Sequence, residues 1–164
     1  FGQQVEKKTT ETDTMQNIFP SIRKVEGVRG ATTNIADGST IEDFIVYRLA
    51  ETYLLRAEAH FRNSDLQGAA DDLNTIRARA GAKPVLPAQV SLDYILDERA
   101  RELIAEEPRK RTLMRMGKLV ERVKKYNISA VTRNTISEKH ELWPIPQSEI
   151  DANFSAILEQ NPGY

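Results

Sequence analysis

The sequence predicts a mainly α-helical fold, in which a helical hairpin and further helices follow a loop-rich start and precede an extended tail. Three observations carry this. Apolar residues recur at the spacing of one helix face between Ala50 and Ile76. Residues 1–42 show no such period, and Pro144, Pro146 and Pro162 break up the closing segment.

From Phe1 to Glu42 the chain is rich in Thr, Gly, Asn and Asp, with apolar residues too sparse to build helices. So long a stretch without regular structure is uncommon inside a self-contained domain, so residues 1–42 are expected to pack against an upstream region. Residues 43–164 are expected to form the helical domain. Charged residues make up 29% of the chain and hydrophobic ones 40%, with a formal net charge of -1. Neither a disordered chain nor a strong field toward nucleic acid follows from that balance. The absence of cysteine excludes disulfides, thiolate metal sites and a cysteine nucleophile. No apolar run approaches the ~20 residues that span a bilayer. The chain opens Phe1-Gly2-Gln3-Gln4, neither a signal peptide nor a lipid-attachment signal, and an upstream segment is expected to have been removed.

The helical pattern starts at Asp43, with Ala50, Tyr53, Leu54, Ala57 and Phe61 on one face. Asn63-Ser64-Asp65 offers turn and N-cap chemistry, and Leu66, Ala69, Ala70, Leu73 and Ile76 form a second stripe that ends at Ala80-Gly81. Two helices joined by so short a turn pack antiparallel. The small residues Ala57, Ala69 and Ala70 predict a close crossing, near the lower end of the usual ~8 to 10 Å. Tyr53, Ala57, His60, Leu66, Ala69 and Leu73 follow the order of large and small positions in a tetratricopeptide repeat, although only one such unit is visible. Lys83-Pro84 to Ser91 reads as a linker, with Ser91 as N-cap of a third helix that Pro108 stops. A fourth helix is predicted from Lys110 to Tyr126. Beyond it the chain is expected to be irregular, extended at Trp143-Pro144-Ile145-Pro146, with one helical turn near Ser148.

Candidate chemistry is sparse. Glu98, Glu102 and Glu106 share a helix face at i, i+4 and i+8, which invites a metal or acid-base role. A bundle metal site would add a histidine three residues after one of them, and none is there, so salt bridges with Arg99, Arg101 or the fourth helix are the expected use. His60 and His140 lie far apart with no nucleophile motif nearby; His60 suits a repeat packing position and His140 a solvated one. Residues 109–125 hold eight basic residues against Glu121 alone, the strongest hint of nucleic acid. The acidic third helix beside them makes intramolecular pairing the simpler reading. Trp143 and Tyr164 would suit stacking on sugar rings, but their place near the C-terminus suggests a clasp, in which Trp143, Ile145, Ile150, Phe154, Ile157, Leu158 and Tyr164 bury themselves against the helices.

Four segments, in order, resemble the signature of the SusD/RagB family: Tyr47–Ala59 (YRLAETYLLRAEA), Leu73–Gly81 (LNTIRARAG), Asp97–Leu103 (DERAREL), and Trp143–Pro146 (WPIP) followed by Gln160–Tyr164 (QNPGY). Arg109-Lys110-Arg111 and the residues up to Met116 depart from the aromatic-rich run that many members carry there. The resemblance implies a helical, tetratricopeptide-like protein that binds glycans or related nutrients without catalysis and without a cofactor. It implies a SusC-like TonB-dependent transporter as partner, a surface-exposed outer-membrane location, and a lipid anchor upstream of Phe1, as in a longer protein of which this would be the C-terminal portion. No ligand-binding, catalytic or metal-binding residue carries over from the family, and no nucleic-acid partner is implied. The alternative is a tetratricopeptide-like scaffold for protein partners, motivated by the helix pair alone.

Overall fold

The computed structural model describes residues 45–164, so the segment 1–42 expected to be loop-rich lies outside the described residues. Residues 47–164 form one compact unit. Among the described residues it contains seven α-helices, two short 3-10 turns at Pro87–Gln89 and Glu138–Glu141, and no strand.

The hairpin consists of α1 (Leu49–Arg62) and α2 (Leu66–Arg79). α1 starts six residues after the predicted Asp43, because Arg48 is extended (φ -143°) and its side chain is held by Glu102 and Glu106. The turn follows the expected chemistry. Ser64 takes a left-handed φ of 62°, and the Asp65 carboxylate accepts the Gly68 N–H at 2.8 Å, satisfying one orphan donor of α2. Leu54, Ala57, Ala69 and Leu73 have no exposed surface, and Ala70, Ile76, Val85, Val90, Ile95 and Leu103 complete this core. The alanine stripe is thus the contact face it was predicted to be.

Asn74 fixes the linker, since its side-chain amide both donates to the Val85 carbonyl (3.0 Å) and accepts the Val85 N–H (2.7 Å). Ser91 then caps α3 (Leu92–Glu102) by accepting the Tyr94 N–H at 3.1 Å. α3 stops six residues short of the predicted Pro108. The N–H groups of Glu106 and Glu107 both bond to the Leu103 carbonyl while Ala105 is left-handed (φ 64°), and this tight exit turns Glu107 back toward Arg99.

The predicted fourth helix is two, α4 (Arg109–Arg115) and α5 (Leu119–Tyr126). Gly117 separates them at φ +62°, and the Lys118 N–H to Leu113 carbonyl (2.8 Å) and Gly117 N–H to Met114 carbonyl (3.0 Å) bonds form a Schellman closure. The break re-aims the apolar side chains, so that Leu113, Met116 and Leu119 converge on Leu96 in a second core cluster. Two further helices are short: α6 (Ala130–Thr135), which apolar periodicity did not predict, and α7 (Gln147–Ala152), which lies near the predicted Ser148.

Candidate functional site: motif charges, tail and groove

Charged residues from three motif segments meet in one place. Glu98, on α3, takes Arg77 of α2 and its own neighbour Arg101, each at 2.7 Å. Glu102 takes Arg48 at 2.6 Å and Arg79 at 2.7 Å, and Glu106 takes Arg48 at 2.6 Å. The three carboxylates do pair with arginine, but among the described residues their partners, apart from Arg101, come from α2 and from Arg48, not from Arg99 or the fourth helix. Arg99 is among the most buried side chains. It donates through Nε (2.9 Å) and Nη2 (2.6 Å) to Glu107 Oε1, with Glu51 of α1 3.7 Å away. Thr112 donates its hydroxyl to the same Glu107 oxygen. A buried charge persists only when paired and hydrogen-bonded, so this network ties α1, α2, α3 and α4 into one register.

Glu58 of α1 reaches the other side. It accepts Arg62 at 2.9 Å and Arg115 of α4 at 2.5 Å. Burial works against its ionised form, but the hydrogen bonds from Arg115 and Arg62 prevail and hold its carboxyl below the ordinary glutamate pKa.

The histidines do not form a catalytic pair. His60 Nδ1 lies 2.8 Å from Asp65 Oδ2 and packs at the hairpin turn, as its repeat position suggested. His140, expected in solvent, is half-buried; its Nδ1 accepts the Ser137 N–H at 3.0 Å in a local capping box. Part of the basic run is spent internally, since Arg122 of α5 pairs with Asp93 (2.9 Å) and Asp97 of α3. Among the described residues no group of three or more His, Asp and Glu side chains is arranged to hold a metal.

The tail closes on itself, and of the apolar groups expected to dock it Ile145, Ile150 and Leu158 are half-buried. Phe154 and Ile157 are 96% and 93% exposed, and Trp143 and Tyr164 are largely exposed as well. Polar contacts hold it instead. Ile145 sits between two prolines and supplies the N–H that neither proline has. The Gln160 side-chain amide accepts that N–H and donates to the Ile145 carbonyl, both at 2.8 Å, as a neighbouring strand's peptide would. Asn161 Nδ2 donates to the Trp143 carbonyl (2.7 Å) and the Tyr164 hydroxyl to that of Leu142 (3.2 Å). Gly163 needs to be glycine twice over: its φ is +90°, and a Cβ there would lie 2.9 Å from Lys139 Cβ. Each aromatic ring carries a lysine, with Lys110 Nζ 3.8 Å from the centroid of Trp143 and Lys139 Nζ 5.0 Å from that of Tyr164.

Beside α3 a cavity of about 680 Å³ opens between α4, α5 and α6, walled by Leu113, Leu119, Val123, Tyr126 and Ile136, with Arg109 and Lys110 at its side. Sequence periodicity gave no sign of it, because the wall depends on the turn at Gly117 and on α6. The one available signal was Arg109, which headed the basic run.

The sequence model of the SusD family matches residues 2–164. The chain is 34% identical over 126 residues to a starch-binding protein SusD of Bacteroides thetaiotaomicron, covering 74% of this chain and 22% of that protein. It is 35% identical over 130 residues to a SusD-like protein P25 of Formosa agariphila, covering 73% of this chain and 24% of that protein. The chain thus spans about a quarter or less of the length of these curated relatives. No solved structure matches it. Because the family pattern runs the length of the chain and its charged motif residues interlock in the structure, the chain belongs to the SusD family.

Proposed function

We propose that this chain serves in a non-catalytic, surface-exposed component of an outer-membrane uptake complex, which binds an oligosaccharide or related nutrient and hands it to a SusC-like TonB-dependent transporter. The observation that carries this is the family match over residues 2–164, together with the 34% identity to a protein named for starch binding. The fold supports the same reading in a limited way. Its buried acids and arginines are engaged in holding helices together, and the histidines sit in local caps and turns, so the charged residues read as structural. The described helices include none long and apolar enough to cross a membrane; attachment through a lipid anchor is part of the family reading. A scaffold for protein partners finds less support, since the described residues contain one hairpin of the repeat type where about three are needed for a solenoid.

Membrane fractionation and affinity purification of the tagged protein from its own host test this proposal. It should fractionate with the outer membrane and co-purify in stoichiometric amount with a TonB-dependent transporter. Recovery in the soluble fraction without a transporter would contradict it.

A further inference from the structure

We propose that the groove between α4, α5 and α6 is a binding site for a small organic anion with an apolar body, whose carboxylate meets Arg109. The site rests on the groove's own geometry and goes beyond the uptake reading, on which it does not depend.

The cavity, about 680 Å³, falls within the ~300–1,000 Å³ typical of small-molecule sites; Leu113, Leu119, Val123, Tyr126 and Ile136 give it a mainly apolar wall, and the one carboxylate among its described lining residues, Asp97, is paired with Arg122. Such a wall selects an apolar body. The charge beside it is distinctive because the arginines nearby differ in how far they are satisfied. Arg122 is spent on Asp93 and Asp97, and Arg99 pairs with Glu107 although its Nη1, too, is buried without a partner. Arg109 makes no hydrogen bond or ion pair with the described residues, although its guanidinium is half-buried and its Nη1 is shut off from solvent. Burial pulls its pKa below the ordinary arginine value; Glu107 and, less strongly, Asp97 oppose this, while Arg122 and Arg99 add to it. Glu107 attracts Arg109 without hydrogen-bonding to it: its Oε1 holds Arg99 and Thr112, and its Oε2 is buried without a partner. A half-buried guanidinium without a hydrogen-bonded counter-ion is costly, and a carboxylate entering the groove would hydrogen-bond to its remaining nitrogens, the solvent-excluded Nη1 aside. Lys110, over the Trp143 ring, adds a second positive charge at the side of the groove and places the chain's single tryptophan within reach as a reporter.

Octanoate and its uncharged analogue octanamide, titrated separately into the full 164-residue chain, give the test. Calorimetry and Trp143 fluorescence provide two readouts. Octanoate is expected to saturate one site and to bind about tenfold or more tightly than octanamide. Arg109→Gln is expected to abolish that preference while leaving octanamide binding in place. Ile136→Phe, which narrows the apolar wall without touching a charge, is expected to weaken both probes. Equal binding of the two probes to the parent chain, or no saturable binding of either, would overturn the proposal whether or not the variants fold. An Arg109→Gln chain that melts lower yet keeps the preference would also overturn it, identifying Arg109 as a structural counter-ion of Glu107.

Discussion

Ala57 and Ala69 have no exposed surface where α1 crosses α2, and the space each leaves is filled by the facing helix. Adding carbons to a filled site forces side chains off their rotamers or the helices apart, at a typical cost of ~1 to 3 kcal/mol. Ala69→Leu is therefore expected to lower the urea midpoint with an unchanged slope; an unchanged midpoint would show that the contact face is misassigned. Glu58 supports a pH prediction at the same scale. Its folded pKa is depressed, so its contribution is fully present above the unfolded glutamate value, about 4.3, and is lost as pH falls through the folded one. Glu58→Gln removes that term and leaves Arg115 and Arg62 without their carboxylate. Thermal melts should show the variant less stable at pH 7, by about 1–3 kcal/mol, with the gap closing toward pH 3. A gap that stays constant across that range would mean that the ion pairs contribute nothing.

At the scale of elements, the parts legible in the sequence were those governed by local chemistry. Asp65 and Ser91 cap the helices they were predicted to cap, and the apolar stripes of α1 and α2 face each other. What escaped depended on partners distant in sequence. Leu113, Met116, Val120 and Val123 keep helical spacing straight through Gly117, so periodicity alone could not reveal the Schellman turn. The tail shows the same limit. Its apolar residues suggested burial against the helices, whereas Gln160 and Asn161, which close the tail on itself, are polar and lie well over ten residues from the carbonyls they reach. Gln160→Ala would strand the N–H and carbonyl of Ile145, and leaving buried or half-buried groups unpaired costs about 1–3 kcal/mol. Amide hydrogen exchange at Ile145 should accelerate in that variant, and so should exchange at Asn161, whose N–H also bonds to Gln160. Unaltered exchange at both positions would show that Gln160 does not hold the tail.

For the whole molecule, the first three of the four family motifs are better understood as one interlocking set than as separate signatures. Arg48 and Glu51 from the first, Arg77 and Arg79 from the second, and Glu98, Arg99 and Glu102 from the third pair across α1, α2 and α3. Glu98, Glu102 and Glu106 were correctly placed on one face by spacing, but spacing could not say that Arg48, more than fifty residues earlier, would engage two of them. Nor could it reveal the groove, which needs α4, α5 and α6 in their folded positions. Among the described residues most buried ionisable groups are turned to structural use, and binding without catalysis is the role proposed for the protein. Uptake tests that claim most directly: the amount and chain length of a labelled starch-derived or other oligosaccharide entering host cells, measured with and without the gene. Loss of the gene is predicted to reduce entry of at least one oligosaccharide while the material remaining outside keeps its chain length. Undiminished entry of every oligosaccharide tried, or a gene-dependent shortening of the chains outside the cell, would contradict it.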